Sequence, residues 1–147
     1  MPVHFHREQT SYQIRQKNNL KSWIRETILS EKKEESDINI ILCSDDYLLE
    51  VNREYLQHDY YTDIITFDYV EGLLISGDLF ISIDRIKENA KKENVPCETE
   101  LRRVIIHGLL HLAGYKDKKK EDIKIIREKE NFYLDMYKSM FHVEHKL

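Results

Sequence analysis

Residues 101–117 read LRRVIIHGLLHLAGYKD, and this stretch predicts a helix with one buried face and one polar face. Its apolar side chains recur at three- and four-residue steps, the spacing that lines up one side of an α-helix. They are Leu101, Val104, Ile105, Leu109 and Leu112. Gly114 can adopt the left-handed conformation that commonly ends a helix. The pattern therefore predicts a helix that packs on a core and stops at Gly114.

Two histidines, His107 and His111, lie on this helix at a spacing of four residues. Side chains four apart share one helix face, with Cβ atoms roughly 6 Å apart, so both imidazoles can bind one ion. Asp117 follows soon after the glycine stop, where a turn can bring its carboxylate over the ion as a third ligand. Three protein ligands leave one position for water, and a metal there lowers the pKa of that water to ~7. This pattern is typical of a catalytic metal rather than a structural one.

The histidine pair has two other interpretations. Two histidines at this spacing also occur by chance as a buried or surface couple, but the glycine stop and the carboxylate favour a metal site. A zinc protease of the HExxH type needs glutamate directly after the first histidine as general base. Gly108 stands there, so the sequence disfavours that class.

Helical periodicity recurs in four further segments of the chain. Their approximate ranges are 18–33, 44–56 with Ser44 as N-cap, 82–94 with Ser82 or Asp84 as N-cap, and 121–138. Pro96 suits the first turn of the helix that carries His107, because its fixed φ is already helical. The chain therefore predicts about five helices.

Runs of β-branched and apolar residues predict strands at 37–43, 64–67 and 73–83, after a short strand around 3–7. The strands 64–67 and 73–83 can pair directly, and Gly77 indicates a bulge or a close approach of another backbone. This order of elements is typical of the α+β class. We expect a small mixed sheet covered by about five helices, in a single domain spanning residues 1–147.

Composition narrows the possible classes of protein. The chain has 147 residues, with 23 Lys and Arg against 27 Asp and Glu, so its net charge is −4. This mildly acidic balance argues against coating nucleic acid by bulk charge, yet it allows a local basic groove. The longest apolar run, Ile40–Cys43, is far below the ~20 residues of a membrane span, and no secretory signal is visible. Cys43 and Cys97 form no disulfide framework, so we expect reduced thiols and a cytoplasmic location.

The stretch His107-Gly-Leu-Leu-His-Leu-Ala-Gly-Tyr115 resembles the signature of the YbeY family, bacterial metal-dependent endoribonucleases implicated in ribosomal RNA maturation. Residues 52–55, 62–67 and 77–82 resemble upstream motifs of that family, in the same order. The resemblance implies a single α+β domain with one zinc ion on three side chains. It also implies hydrolysis of single-stranded RNA by a metal-bound water, in small-subunit ribosomal RNA end maturation and ribosome quality control, without DNA specificity.

Two positions depart from the family pattern. Most members have a histidine as third ligand, whereas this chain has Asp117. Zinc accepts a carboxylate oxygen, but two histidines and one carboxylate also suit non-haem iron, so iron or another divalent metal stays possible. The family often has an arginine thought to meet RNA phosphate at the place of Leu56. Arg53 or His58 could substitute for that arginine.

Further candidate residues are less specific. Arg103 and Lys116 are basic residues close to the motif and are predicted to contact RNA. Asp63 and Asp78 could orient a metal histidine, but they are more typical of a strand turn and of a bond to the backbone near Gly77. Four histidines near the chain ends are interpreted as incidental: His4, His6, His142 and His145. Four tyrosines could stack on bases, although some belong to the core or the rim: Tyr55, Tyr60, Tyr61 and Tyr69.

The sequence leaves three functions open. The first is an endoribonuclease that uses His107, His111 and Asp117, and the second is a non-catalytic zinc-containing RNA or ribosome-assembly factor. The third is a metal-dependent hydrolase of another substrate. A structural ion is fully coordinated by protein, and its removal melts the domain. A catalytic ion keeps a water, and its loss costs activity more than stability.

Overall fold

A computed structural model describes residues 3–142, so the predicted incidental His145 lies outside the described residues. Within that range the chain forms four strands and five helices, which confirms the α+β prediction. The strands are β1 (Val3–Glu8), β2 (Glu34–Cys43), β3 (Ile64–Asp68) and β4 (Leu74–Ser82). The helices are α1 (Lys17–Ser30), α2 (Asp45–Leu56), α3 (Ile83–Glu93), α4 (Cys97–Leu112) and α5 (Lys120–Phe141).

The four strands form one mixed sheet in the order β1-β2-β4-β3. β1 and β4 both run parallel to β2, whereas β3 pairs antiparallel with β4. The sequence allowed a direct pairing of these last two strands and did not give its orientation. Gly77 marks a close approach, because a Cβ there would lie 2.5 Å from the carbonyl oxygen of Phe67. The absence of a side chain at Gly77 therefore lets β3 pair with β4 and α4 pack over them.

Most of the core lies between one face of the sheet and three helices. Ile38, Ile40 and Leu42 alternate along β2 and point to this face, where they join buried residues of α1, α4 and α5. A smaller cluster on the other side joins Cys43 to Leu48 and to other residues of α2 and β3. Helix α4, with nine buried residues, is thus supported by the sheet and by α5.

Local hydrogen bonds explain where several elements begin and end. Ser44 and Ser82 accept a hydrogen bond from the third residue of α2 and of α3. This confirms the N-cap predicted for α2 and selects Ser82 from the two candidates, Ser82 and Asp84, predicted for α3. Helix α1 ends earlier than predicted, because Lys32 has φ of 60°. Strand β2 then begins at Glu34 instead of residue 37. Pro96 is the N-cap of α4 rather than part of its first turn.

Two expectations from composition can be compared with these elements. None of the helices within residues 3–142 combines the length and apolar character needed to cross a bilayer. Cys43 and Cys97 are both free thiols. Burial, assisted by nearby acidic groups, raises the pKa of the Cys43 thiol to about 12, so it is protonated and unreactive at neutral pH.

Candidate metal centre

Helix α4 and the loop that follows it bring the three predicted ligands together. Atom Nε2 of His107 lies 3.0 Å from Nε2 of His111, and the two lie 3.5 and 3.3 Å from Oδ2 of Asp117. The four-residue spacing on one helix turn accounts for the histidine pair. The turn at Gly114, where φ is 105°, accounts for the return of the chain to Asp117.

These separations fit a single divalent ion. Ligand atoms 2.0–2.1 Å from a tetrahedral zinc ion lie about 3.3–3.4 Å apart. The three observed separations span 3.0–3.5 Å, so the side chains could hold an ion with only small movements. Both histidine side chains are 28% exposed and Asp117 is 44% exposed, so the centre lies at the protein surface. The residues fit a metal, but their chemistry does not choose among zinc, iron and other divalent ions.

The second ring nitrogen of each histidine is also hydrogen bonded. Nδ1 of His111 lies 3.0 Å from the carbonyl oxygen of Tyr115, and Nδ1 of His107 lies 2.7 Å from Oε2 of Glu130. A carbonyl or an ionised carboxylate can only accept, so each imidazole donates from Nδ1. In the neutral rings, Nε2 is left with its lone pair toward the shared point, as metal ligation requires.

The loop from α4 to Asp117 is anchored at several points. The backbone N–H groups of Gly114 and Tyr115 donate to the carbonyl oxygens of His111 and Leu110. The hydroxyl of Tyr115 donates to Oε1 of Glu31 at 2.6 Å. Tyr115 is therefore held at both its backbone and its side chain, which limits how far the carbonyl that contacts His111 can move.

Glu130 lies behind His107 on α5, and its carboxylate is only 5% exposed. Its Oε1 lies 3.2 Å from a guanidinium nitrogen of Arg103 and 3.7 Å from one of Arg127. Burial alone would raise the pKa of Glu130, but the hydrogen bond with His107 and the charges of His107 and the two arginines hold it below its ordinary value. Burial alone would lower the pKa of His107, but its hydrogen bond with Glu130 and the charge of that carboxylate raise it above its ordinary value. In the metal-free protein these two groups therefore favour an ion pair.

Glu130 was not among the site residues predicted from the sequence. A signal for it existed, because Glu130 lies on the stripe that α5 buries with Ile126 and Tyr133, where a carboxylate needs a partner. Asp63 and Asp78 were the predicted candidates for a group that orients a histidine. Asp78 accepts a hydrogen bond from Nδ2 of Asn39 on the neighbouring strand β2.

A cleft with a volume of about 550 Å³ opens beside the centre. His107 and Asp117 form part of its wall, together with Asp63, the residue that precedes β3. The remaining polar lining comes from α3, α4 and α5, through Asn89, Glu93, Thr99, Glu100, Arg103, Arg127 and Glu130. The candidate metal centre is therefore next to a space large enough for part of a substrate.

The four predicted RNA contacts occupy different places. Arg103 lines the cleft, with its guanidinium bonded to Glu130 and to Asn131 at 3.2 Å each. Lys116 is exposed and precedes Asp117. Arg53 forms an ion pair of 2.5 Å with Asp59, while the ring of His58 stacks on that of Tyr60. Arg53 and His58 lie outside the set of described residues that line the cleft.

The remaining candidates are also placed by the structure. His4 and His6 lie within β1 rather than in a loose chain end, and His6 contacts Asn39 through a hydrogen bond of 3.0 Å. His142 is the exposed residue that follows α5. The four tyrosines considered for base stacking are 48–63% exposed, so all belong to the rim: Tyr55, Tyr60, Tyr61 and Tyr69.

Known proteins are similar to this chain in sequence and in fold. The family model described as endoribonuclease YbeY matches residues 4–138. A Flavobacterium psychrophilum protein named endoribonuclease YbeY is 49% identical over 133 residues, which cover 90% of this chain and 92% of that protein. A Phocaeicola vulgatus protein of the same name is 56% identical over 109 residues, which cover 74% and 79%.

A solved structure has a similar fold. The solution structure of TM1509 from Thermotoga maritima is 29% identical and matches with a TM-score of 0.70. The match covers 94% of this chain and 91% of that one. Sequence and fold thus agree along nearly the whole length, and this chain belongs to the YbeY family of endoribonucleases.

Proposed function

We propose that this protein is a single-strand-specific endoribonuclease that holds one divalent ion with His107, His111 and Asp117. The observation that carries the proposal is the convergence of two Nε2 atoms and one Oδ2 atom, 3.0–3.5 Å apart, on the wall of a cleft. The relatives named endoribonuclease YbeY support an RNA phosphodiester as the bond that is cleaved.

The number and exposure of the ligands favour a catalytic ion over a structural one. Structural zinc sites are closed by four protein ligands, whereas catalytic sites keep a position for water or substrate. Among residues 3–142, the group that could hold an ion consists of His107, His111 and Asp117. Two of these three side chains face the cleft. This arrangement supports hydrolysis rather than the alternative of a non-catalytic assembly factor.

The side chains around the cleft have complementary tasks in the proposed reaction. A divalent ion, when bound, supplies a Lewis acid for a phosphoryl oxygen and lowers the pKa of water. Arg127 is 60% exposed on the cleft wall, where its guanidinium can donate to phosphate oxygens of the RNA. Asp63 can accept a hydrogen bond from a ribose 2′-hydroxyl, the group by which proteins distinguish RNA from DNA. Arg53, His58, Arg103 and Lys116 remain candidates for further RNA contacts.

The same proposal extends to the natural RNA substrate, the metal and the location in the cell. We infer that the substrate is ribosomal RNA, with cleavage near the ends of the small-subunit RNA and a part in ribosome quality control. Zinc is the expected ion and the cytoplasm the expected location. The resemblance of the motifs at residues 52–55, 62–67 and 77–82 to those of the family supports this assignment.

Cleavage of a short single-stranded RNA tests the proposal directly. Wild type, His111→Ala and His4→Ala are purified identically, the last as a control because His4 is exposed on β1. We expect wild type and His4→Ala to cleave and His111→Ala to lose activity. Equal cleavage by all three would indicate a contaminating nuclease. Retention of zinc and RNA by wild type without cleavage would favour the assembly factor instead.

A further inference from the structure

We propose that Glu130 is a positioning residue of the metal centre. Its carboxylate holds the imidazole of His107 so that Nε2 faces His111 and Asp117. The inference rests on the proposed function only in requiring that an ion binds these three side chains. It extends the centre from α4 and its loop to a second helix, α5, which the ligand motif does not include.

The contact between Glu130 and His107 has the geometry of an orienting hydrogen bond. Oε2 of Glu130 lies 2.7 Å from Nδ1 of His107, a distance typical of a charge-assisted bond. An ionised carboxylate can only accept, so Nδ1 carries the proton and Nε2 is the nitrogen available to a metal. Metal-ligating histidines commonly donate their other ring N–H in this way, which fixes the ring and increases its basicity.

Packing alone does not explain why a charged side chain occupies position 130. Position 130 lies on the buried stripe of α5, where an apolar side chain would pack without any desolvation cost. The carboxylate is instead supported by Arg103, whose guanidinium also donates to Asn131, and by Arg127. Two arginines and one histidine thus contact a buried glutamate, an arrangement that keeps it ionised and fixes its direction.

The two histidines are held differently, which makes the proposal testable. His111 donates to a backbone carbonyl, that of Tyr115, whereas His107 donates to a carboxylate. A carboxylate partner makes the imidazole the more basic of the two ligands. Loss of the negative charge at Glu130 should therefore weaken metal binding even where the ring stays in place.

The first experiment measures zinc affinity by competition with a chromophoric chelator. Glu130→Gln keeps the size of the side chain and removes its charge, and we expect at least a tenfold loss of affinity, within the ~10–100-fold range for such partners. Glu100→Gln is the matched control. Glu100 is also buried and lies 3.8 Å from Arg103, without a hydrogen bond to either histidine. We expect this control to bind zinc within about threefold of wild type.

The zinc affinity of each variant is compared with its thermal stability. Thermal unfolding of each metal-free variant, followed by circular dichroism, separates weaker ligation from loss of structure. A folded Glu130→Gln protein with zinc affinity within threefold of wild type would overturn the proposal. Neither measurement uses RNA, so a failure here is distinct from a failure to cleave RNA, and wild type that binds no zinc would count against the proposed function.

A second measurement does not depend on the variant folding. Nitrogen-15 NMR of the histidine side chains in zinc-loaded wild type identifies which ring nitrogen carries a proton. We expect His107 to keep a slowly exchanging proton on Nδ1, protected by Glu130. A His107 ring with Nδ1 unprotonated, or with Nδ1 bound to zinc, would contradict the proposed role of Glu130.

Discussion

At the scale of single residues, Asp117 distinguishes this centre from the three-histidine pattern that most of the family is expected to have. A carboxylate brings a negative charge that two neutral imidazoles lack, and its oxygen lies 3.3–3.5 Å from both Nε2 atoms. The side chain is 44% exposed, so its removal costs little packing. We therefore expect Asp117 to contribute to metal binding more than to the stability of the fold.

Replacement of Asp117 tests that separation. We expect Asp117→Ala to lose metal affinity and RNA hydrolysis while its unfolding free energy without metal stays within about 0.5 kcal/mol of wild type, as for surface substitutions. Metal content after dialysis, RNA cleavage and urea unfolding with chelator are the measurements. A variant with full metal content and full activity would remove Asp117 from the centre.

How far the sequence predicts individual residues depends on how local their contacts are. His107, His111 and Asp117 lie within eleven residues, so helix geometry and one glycine are enough to bring them together. Glu130 contacts His107 only because α5 packs against α4, and Glu31 contacts Tyr115 only because the end of α1 lies beside the loop that follows α4. Such contacts depend on tertiary packing, which residue spacing does not describe.

At the scale of elements, Glu31 joins three parts of the chain. It lies just after α1 and accepts a hydrogen bond from the hydroxyl of Tyr115, in the loop from α4 to Asp117. It accepts a second from the hydroxyl of Tyr133 on α5. Lys129 on α5 adds an ion pair of 3.3 Å. Burial alone would raise the pKa of Glu31, but these bonds hold it below its ordinary value of 4.5.

The sign of that shift predicts how stability depends on pH. A carboxylate whose pKa is lower in the folded state stabilises the fold above its unfolded pKa, and loses this effect as pH falls through the folded pKa. We expect Glu31→Gln to reduce the unfolding free energy by about 1–3 kcal/mol at pH 7. The difference from wild type should shrink below pH 4.5, the ordinary value for this group.

Urea unfolding between pH 3 and pH 7, with chelator present to exclude metal effects, measures this difference. Glu34→Gln, at an exposed glutamate three residues along the chain, is the control. A Glu31→Gln deficit that stays constant over the acid range would show that the loss comes from packing rather than from the charge.

Two glycines lie where α4 contacts the sheet, and a side chain at each of them would meet different neighbouring atoms. A Cβ at Gly77 would lie 2.5 Å from a backbone oxygen of β3, whereas one at Gly108 would meet side-chain methyl groups at 2.9 Å. Methyl groups at the ends of side chains can move more cheaply than a paired strand. Alanine also favours a helix over glycine by up to ~1 kcal/mol, which partly offsets the crowding at Gly108.

Alanine substitutions should separate these two cases. We expect Gly77→Ala to destabilise the protein by about 1–3 kcal/mol or more, as overpacking of a core does. Gly108→Ala should cost clearly less, and urea denaturation of both variants measures the difference. Equal losses would mean that β3 can shift as easily as the side chains under α4.

The boundaries of elements could be predicted where a local signal sets them. Ser44 and Ser82 cap helices through hydrogen bonds within three residues; Ser44 was predicted, and Ser82 was one of two predicted candidates. The start of β2 was missed because Glu34 and Glu35 are charged, while their place in a strand depends on pairing with Leu74 and Ile75 of β4. That pairing joins residues about forty positions apart.

At the scale of the whole molecule, the order β1-β2-β4-β3 could not be predicted, although most of its strands could. The parallel pairs need crossovers that carry α1 or α2 over the sheet, and spacing along the chain does not choose among such arrangements. The local placement of charged side chains also depends on the tertiary fold and could not be predicted from spacing along the chain. A chain with a net charge of −4 places Arg127 on the cleft and a lysine-rich segment, 116–120, beside the candidate metal centre.

Arg127 and these lysines predict that RNA binding weakens steeply with salt, despite the acidic net charge and the five carboxylates that also line the cleft. Each cation that contacts a phosphate of single-stranded RNA contributes about 0.7 to the slope of log K against log salt. Arg127→Gln should therefore reduce the slope by about 0.7. The control is Lys138→Gln on the same helix, roughly 16 Å farther along its axis and 3.7 Å from Asp135, and it should leave the slope unchanged.

Both substitutions are best measured in the His111→Ala protein, so that the RNA is not cut during titration by fluorescence anisotropy. Affinity independent of salt would exclude a phosphate-binding cleft. Equal changes of slope for Arg127→Gln and Lys138→Gln would mean that the RNA responds to the total charge of α5. A loss confined to Arg127→Gln would place the phosphate backbone along the cleft wall that also holds His107, where hydrolysis requires it to be.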